Sequence, residues 1–187
     1  ASAFVNDPMK PVPSLGGSHL MSGLPTGPHD RSALQKRPDV LTFEGPMLEE
    51  DQEIAGMARI KLNVAADVPD CDVIVKLCDV WPNGKVYELC SGIQRMSFRK
   101  GFESKALMRS GKTYHIDMNI GNAAHVFKIG HRVQVEIAGS CFPHYTRNLQ
   151  TGECNYTTTK TLKGAIKIIH DPHAPCELKL PVIKRRT

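Results

Sequence analysis

What the chain lacks narrows it first. No apolar run approaches the roughly 20 residues that a membrane-spanning helix needs. The first residues offer neither a charged n-region nor an apolar h-region, so no signal peptide is read here. G-x-S-x-G is absent, and with it the strained elbow that presents a serine nucleophile. Gly17-Ser18-His19 sets a serine beside a histidine, but a triad also needs an orienting acid and an oxyanion hole, which neighbours in sequence do not supply. Gly111-Lys112-Thr113 looks like the end of a phosphate loop, yet Ala106 stands where the first glycine belongs, so it reads as a turn before a strand. Cys71, Cys78, Cys90, Cys141, Cys154 and Cys176 form no C-x-x-C pair and match no zinc module. His170-Asp171-Pro172-His173 reads as a turn rather than a metal pair, because Pro172 rules out helical spacing. No fixed-period repeat is present. No cofactor is expected. The net charge of +5 clusters most clearly in Lys184-Arg185-Arg186 and is not interleaved with aromatics, which argues against a nucleic-acid partner.

What remains is an ordinary globular composition, 41% hydrophobic and 23% charged. At 187 residues there is enough chain for one well-buried core. Cys78, Cys90 and Cys141 lie in or beside apolar strand patterns, where a free thiol acts as a small core hydrophobe. Mostly free thiols are therefore expected, with one or two disulfides only if the protein is exported. The compartment stays unassigned, with a soluble, cytoplasmic setting slightly favoured. Asn155-Tyr156-Thr157 is a glycosylation sequon that matters only in a eukaryotic secretory setting. The chain opens on Ala1-Ser2 rather than methionine, as a fragment of a longer protein would.

Residues 1–46 differ from the rest. Pro8, Pro11, Pro13, Pro25, Pro28, Pro38 and Pro46 fall there, more than half of the 13 prolines. Proline removes ladder donors, so this reads as extended connecting chain. Its apolar residues, Phe4, Val5, Val12, Leu15, Leu20 and Met21, suggest chain pinned against a surface. From Arg37 onward the pattern turns to strands: Val40–Phe43 closed by Gly45-Pro46, Ile54–Val64, Cys71–Val80, Val86–Cys90, Ile93–Phe98, Tyr114–Ile120, Val133–Ile137, Thr157–Ile169 and Cys176–Leu180. Pro82-Asn83-Gly84 between two of them marks a hairpin. A short helix is allowed over Gly101–Met108. Strands recurring every 10–20 residues between turn residues predict an all-β sandwich.

Three residues outside any catalytic motif stand out. Trp81, the only tryptophan, precedes the hairpin turn and reads either as a sugar-stacking platform or as a packing or interdomain contact. Arg147 and Asn148, in the polar loop after Phe142-Pro143, read either as loop-binding residues or as groups that satisfy buried carbonyls.

Several ordered motifs carry a family resemblance. Asp7-Pro8-Met9-Lys10-Pro11-Val12-Pro13-Ser14-Leu15-Gly16-Gly17 resembles D-P-x-x-P-V-P-[ST]-x-G-G. Gly27-Pro28-His29-Asp30-Arg31 with Arg37-Pro38-Asp39-Val40-Leu41 is similar to a G-P-x-D-Q and R-x-D-V-L pair, with Arg31 where glutamine is usual. Ile54-Ala55-Gly56, the block from Asp72 to Arg95, Val126–Arg132, Phe142–Asn148 and the close from His170 to Ile183 continue it, with Pro175-Cys176 in place of Pro-Ser. Together these resemble the C-terminal domain of the cocaine esterase (CocE/NonD) and X-Pro dipeptidyl-peptidase family of serine hydrolases.

The resemblance implies a jelly-roll β-sandwich over 39–187, of galactose-binding-domain type. It implies a leading segment, 1–38, that packs on a neighbouring hydrolase domain. It further implies partners upstream in the same protein, an α/β-hydrolase domain and a cap, which hold the Ser-Asp-His triad and act on small ester or peptide substrates. No residue here inherits a triad role. His19, Leu20 and Met21 are implied to line the acyl pocket, and a homo-oligomer is left open. The competing reading is a stand-alone carbohydrate-binding or assembly module, which would not need the Pro/Gly-rich leading segment.

Overall fold

A computed structural model describes residues 1–18 and 23–184. Among these residues nine strands follow in chain order: β1 (Ser2–Asn6), β2 (Val40–Met47), β3 (Gln52–Ala66), β4 (Asp72–Val80), β5 (Val86–Arg95), β6 (Tyr114–Phe127), β7 (Arg132–Ala138), β8 (Gly164–Ile168) and β9 (Glu177–Lys179). The first sheet runs β1-β8-β3-β6, with β9 also on β3, and the second runs β2-β7-β4-β5. Four antiparallel pairings, β1 with β8, β2 with β7, β3 with β6 and β4 with β5, are those of one long hairpin rolled up on itself. That is a jelly roll, as the motifs imply.

Alternation explains the packing. Val73, Val75 and Leu77 of β4 and Val135 and Ile137 of β7 meet Ile116, Met118 and Ile120 of β6 and Leu62 and Val64 of β3 in one core. Period-2 strands place these residues on one face each, and burying them drives the sheets together. All six cysteines are free thiols.

The structure departs from the sequence reading at several points, one being that β6, read as Tyr114–Ile120, runs on to Phe127. Ser2–Asn6, read as connecting chain, forms β1 against β8 and buries Phe4 in the core. β2 does not stop at Gly45-Pro46. It continues to Met47 across a register shift, and such irregularities admit proline at an edge. Ile93–Phe98 is not a strand of its own: β5 runs on to Arg95, and Met96–Phe98 forms a 3-10 turn. Thr157–Ile169 shrinks to Gly164–Ile168, because Leu162 N–H bonds back to the Leu149 carbonyl and holds the preceding chain in a loop. No helix forms over Gly101–Met108. Among the described residues no helix is long and apolar enough to cross a membrane.

Candidate functional site

Beyond β1, the described part of the leading segment forms a third layer on the outer face of the second sheet. Val12 N–H bonds Ser140 Oγ at 2.9 Å, Phe142 N–H bonds the Val12 carbonyl at 2.9 Å, and Ser14 N–H returns to the Phe142 carbonyl at 2.8 Å. Val12 itself packs on Val40 and Ala138. Gly17 and Gly27 then exchange two backbone hydrogen bonds, both 2.9 Å. At Gly16, φ is +67° and a Cβ would meet the Gly27 carbonyl oxygen at 2.7 Å, so only glycine suits this turn. Further on, Arg31 N–H bonds the Val86 carbonyl at 2.8 Å, and Asp30 Oδ1 accepts from Val86 N–H at 3.1 Å.

Beneath this layer lies a buried charge network. In β4 the register sets Lys76 opposite Glu136 of β7, and alternation turns both away from the core. Arg31, fully buried, grips Glu136 through Nη2 at 2.6 Å and Nε at 3.3 Å. Its Nη1 donates to the Leu15 carbonyl and lies 3.5 Å from Glu88. Lys76 Nζ sits 2.6 Å from the same Glu88. Gln35 adds a hydrogen bond to Glu136 at 3.2 Å. Two cations and two carboxylates thus balance in a dry layer, as buried charges must. Burial opposes the charge on Arg31, but Glu136 and Glu88 hold its pKa above the ordinary value. Burial likewise opposes the Lys76 charge, and Glu88 more than offsets it. Sequence reading registered Arg31 only as a motif departure. Its partner Glu136 lies 105 positions away, a pairing that no local pattern encodes.

The sequence-singled residues fall in three places. His19, Leu20 and Met21 lie outside the described residues, between Ser18 and Gly23. Trp81 stands half-exposed at the end of β4, with its ring 5.1 Å from Tyr87 and 5.5 Å from His131. Its Nε1 donates to Asp79 at 3.1 Å. Asp79 also meets His125 at 3.1 Å and His131 at 2.9 Å, tying β4 of one sheet to β6 of the other. Burial pushes the Asp79 carboxyl up, but the imidazole hydrogen bonds reverse this and leave it below the usual carboxylate value. Arg147 donates to the Pro8 carbonyl at 2.9 Å and lies over the Phe142 ring at 5.2 Å. Asn148 is buried, donates to Asp72 at 2.9 Å and accepts from Gln150 N–H at 2.8 Å. Asp72 is also forked by Arg95 at 2.8 and 2.9 Å, yet burial still raises its pKa. Trp81 thus belongs to one cluster, and Arg147 and Asn148 to another. Among the described residues no three His, Cys, Asp or Glu side chains group as metal ligands.

Fold and site together define a jelly-roll domain whose leading segment is bound as an extra layer. The family described as X-Pro dipeptidyl-peptidase C-terminal non-catalytic domain matches residues 6–179, and this chain belongs to it. The cocaine esterase of Rhodococcus sp. (strain MB1 Bresler) is 35% identical over 187 residues, 99% of this chain and 33% of that protein. Among solved structures, an alpha-amino acid ester hydrolase superposes with a TM-score of 0.86 at 29% identity, covering 97% of this chain and 32% of that one. An aminopeptidase from a marine sediment Thaumarchaeota archaeon gives 0.86 at 25% identity, over 98% of this chain and 33% of its own. A CocE/NonD family hydrolase from Staphylococcus aureus, 17% identical with a TM-score of 0.60 over 77% of this chain and 30% of its own, shares the fold. The chain therefore spans about a third of the length of these proteins.

Proposed function

We propose that this chain is the C-terminal accessory domain of a serine hydrolase of acyl-esterase or X-Pro dipeptidyl-peptidase type. It has no hydrolytic activity alone, lies against upstream α/β-hydrolase and cap domains, and lends His19, Leu20 and Met21 to the wall of their acyl pocket. The carrying observation is membership in a non-catalytic domain family over 6–179. The Gly17–Gly27 ladder supports the pocket role, because it ties together the two stems of the stretch that carries those three residues. The relatives' names, an esterase, an ester hydrolase and an aminopeptidase, suggest acyl transfer through a serine acyl-enzyme, carried out upstream.

The test is hydrolysis of p-nitrophenyl acyl esters and an X-Pro p-nitroanilide by the chain alone and by the chain joined to its upstream sequence. Activity is expected only in the joined protein. Activity in the isolated chain would overturn the reading, and Ser18 is the first residue to replace. In the joined protein, Leu20→Ala or Met21→Ala should change the ratio of kcat/KM between long and short acyl esters. An unchanged ratio would remove the pocket role.

A further inference from the structure

The two sheets do not close on each other along their whole length. β8 pairs with β3 only at Val64–Ala66, and β9 pairs with it at Arg59–Lys61. Between these pairings the chain from 169 to 176 loops off the sheet, held by Asn63 Nδ2 to the Ile169 carbonyl at 3.3 Å and the Ala174 carbonyl at 2.5 Å. The edge of the first sheet is split there. A cleft of about 450 Å³ remains between the sheets. Val135 and Ile137 form one wall, Leu62 and Ile168 the other, and Leu178 stands at the side. Interiors are close-packed, and voids much larger than a water are few. A space of this size lined by aliphatic side chains falls in the range of small-molecule sites.

The cleft's few polar side chains decide what fits. Glu177 is paired with Lys61 at 3.1 Å. Glu44 accepts from Gln134 Nε2 at 3.1 Å. His170 lies edge-on to Phe43, with ring centres 5.8 Å apart, and its Nε2 meets Ser2 Oγ at 3.0 Å. Each therefore has a partner within the domain, and the walls between them are apolar. A ligand with a charged head would desolvate that head without gaining an unengaged counter-charge. An uncharged molecule gains from leaving water along its whole apolar surface.

We infer that this cleft is a binding site for a neutral, apolar small molecule. It uses no residue of the proposed acyl pocket and stands apart from that reading.

The experiment titrates the chain with N-phenyl-1-naphthylamine, a neutral dye that brightens in apolar surroundings, and in parallel with the anionic dye 1-anilinonaphthalene-8-sulfonate. Saturable single-site enhancement is expected with the neutral dye, together with a rise in melting temperature. The anionic dye should bind at least roughly tenfold more weakly. Leu178→Trp, which fills the cleft from its side, should abolish the saturable signal. Val133→Phe is the second filling variant should the first not fold. Absence of saturable binding to the wild-type chain overturns the inference. So does equal binding of the two dyes, or wild-type affinity in a folded filled variant. A dye-free chain that instead dimerises through its open β2 and β9 edges overturns it too.

Discussion

β4 and β6 each set one apolar face on the core, yet their second faces meet different media. On β6, His115, Asp117 and Asn119 reach solvent while Ile116, Met118 and Ile120 fill the core. On β4 all nine residues are buried, Lys76 included. Among the described residues the leading segment lies over one face, and His115, Asp117 and Asn119 on the other stay exposed. Alternation therefore reports which side faces the core and leaves open whether the opposite side is wet. A polar residue on a two-layer sandwich is normally solvated, and here a third layer turns it into a buried ion that must find a partner.

Thiol chemistry separates the two media most sharply. Cys78 is buried among Arg31, Glu136 and Glu88 under the third layer, and burial raises its thiol pKa well above the usual value. Cys154 is exposed, and a backbone hydrogen bond from Tyr156 lowers its pKa. Timed labelling with a thiol-reactive disulfide, read by peptide mass, should modify Cys154 first and leave Cys78 unmodified until global unfolding. Early loss of Cys78 would mean that the leading segment peels away in solution.

Glu136→Ala comes next. It takes from a fully buried Arg31 its closest carboxylate and leaves only the more distant Glu88, and breaking a buried pair costs about 3–5 kcal/mol in a denaturant midpoint series. Replacing both partners together by methionine should recover most of that loss. Glu177→Gln on the wet sheet removes a half-exposed pair with Lys61 and should cost at most about 1 kcal/mol. Equal losses at 136 and 177 would erase the distinction between the two faces.

Asp79→Asn tests the tie between the sheets and should cost about 1.5–3 kcal/mol, the range for hydrogen bonds to a charged group. The sign with pH follows from its lowered carboxyl. The folded state holds Asp79 ionised more readily than the unfolded chain, so its stabilisation is complete above the unfolded carboxylate pKa of about 3.9 and is lost as pH falls towards the lowered folded value. Melting temperatures of wild type and variant should converge through that acid range. Parallel curves would assign the tie to packing alone.

The sequence carried the strands whose inner faces are strictly apolar, β3, β4, β6 and β7, because a two-residue period survives any tertiary context. It concealed β1, whose five residues precede a run of proline and glycine and declare themselves only by pairing with β8, from Ser2 with Ile168 to Asn6 with Gly164, at the far end of the chain. It also concealed the charge network, since nothing local to Lys76, Glu88 or Glu136 shows the third layer that covers them. Arg147 and Asn148 stood out as polar residues in a loop. Their partners, the Pro8 carbonyl and Asp72, come from distant segments and are visible only in the fold.

The rolled-hairpin pairing has a kinetic consequence. Among the nine strands described, β4 with β5 is the local pair, and every other strand pairing spans its turn. Closing short loops costs less entropy than closing long ones, so order is expected to spread outward from the Trp81–Lys85 turn. β1 joins last, and during synthesis it waits until β8 has been made. For all that time Phe4 lacks the core that the finished sandwich gives it.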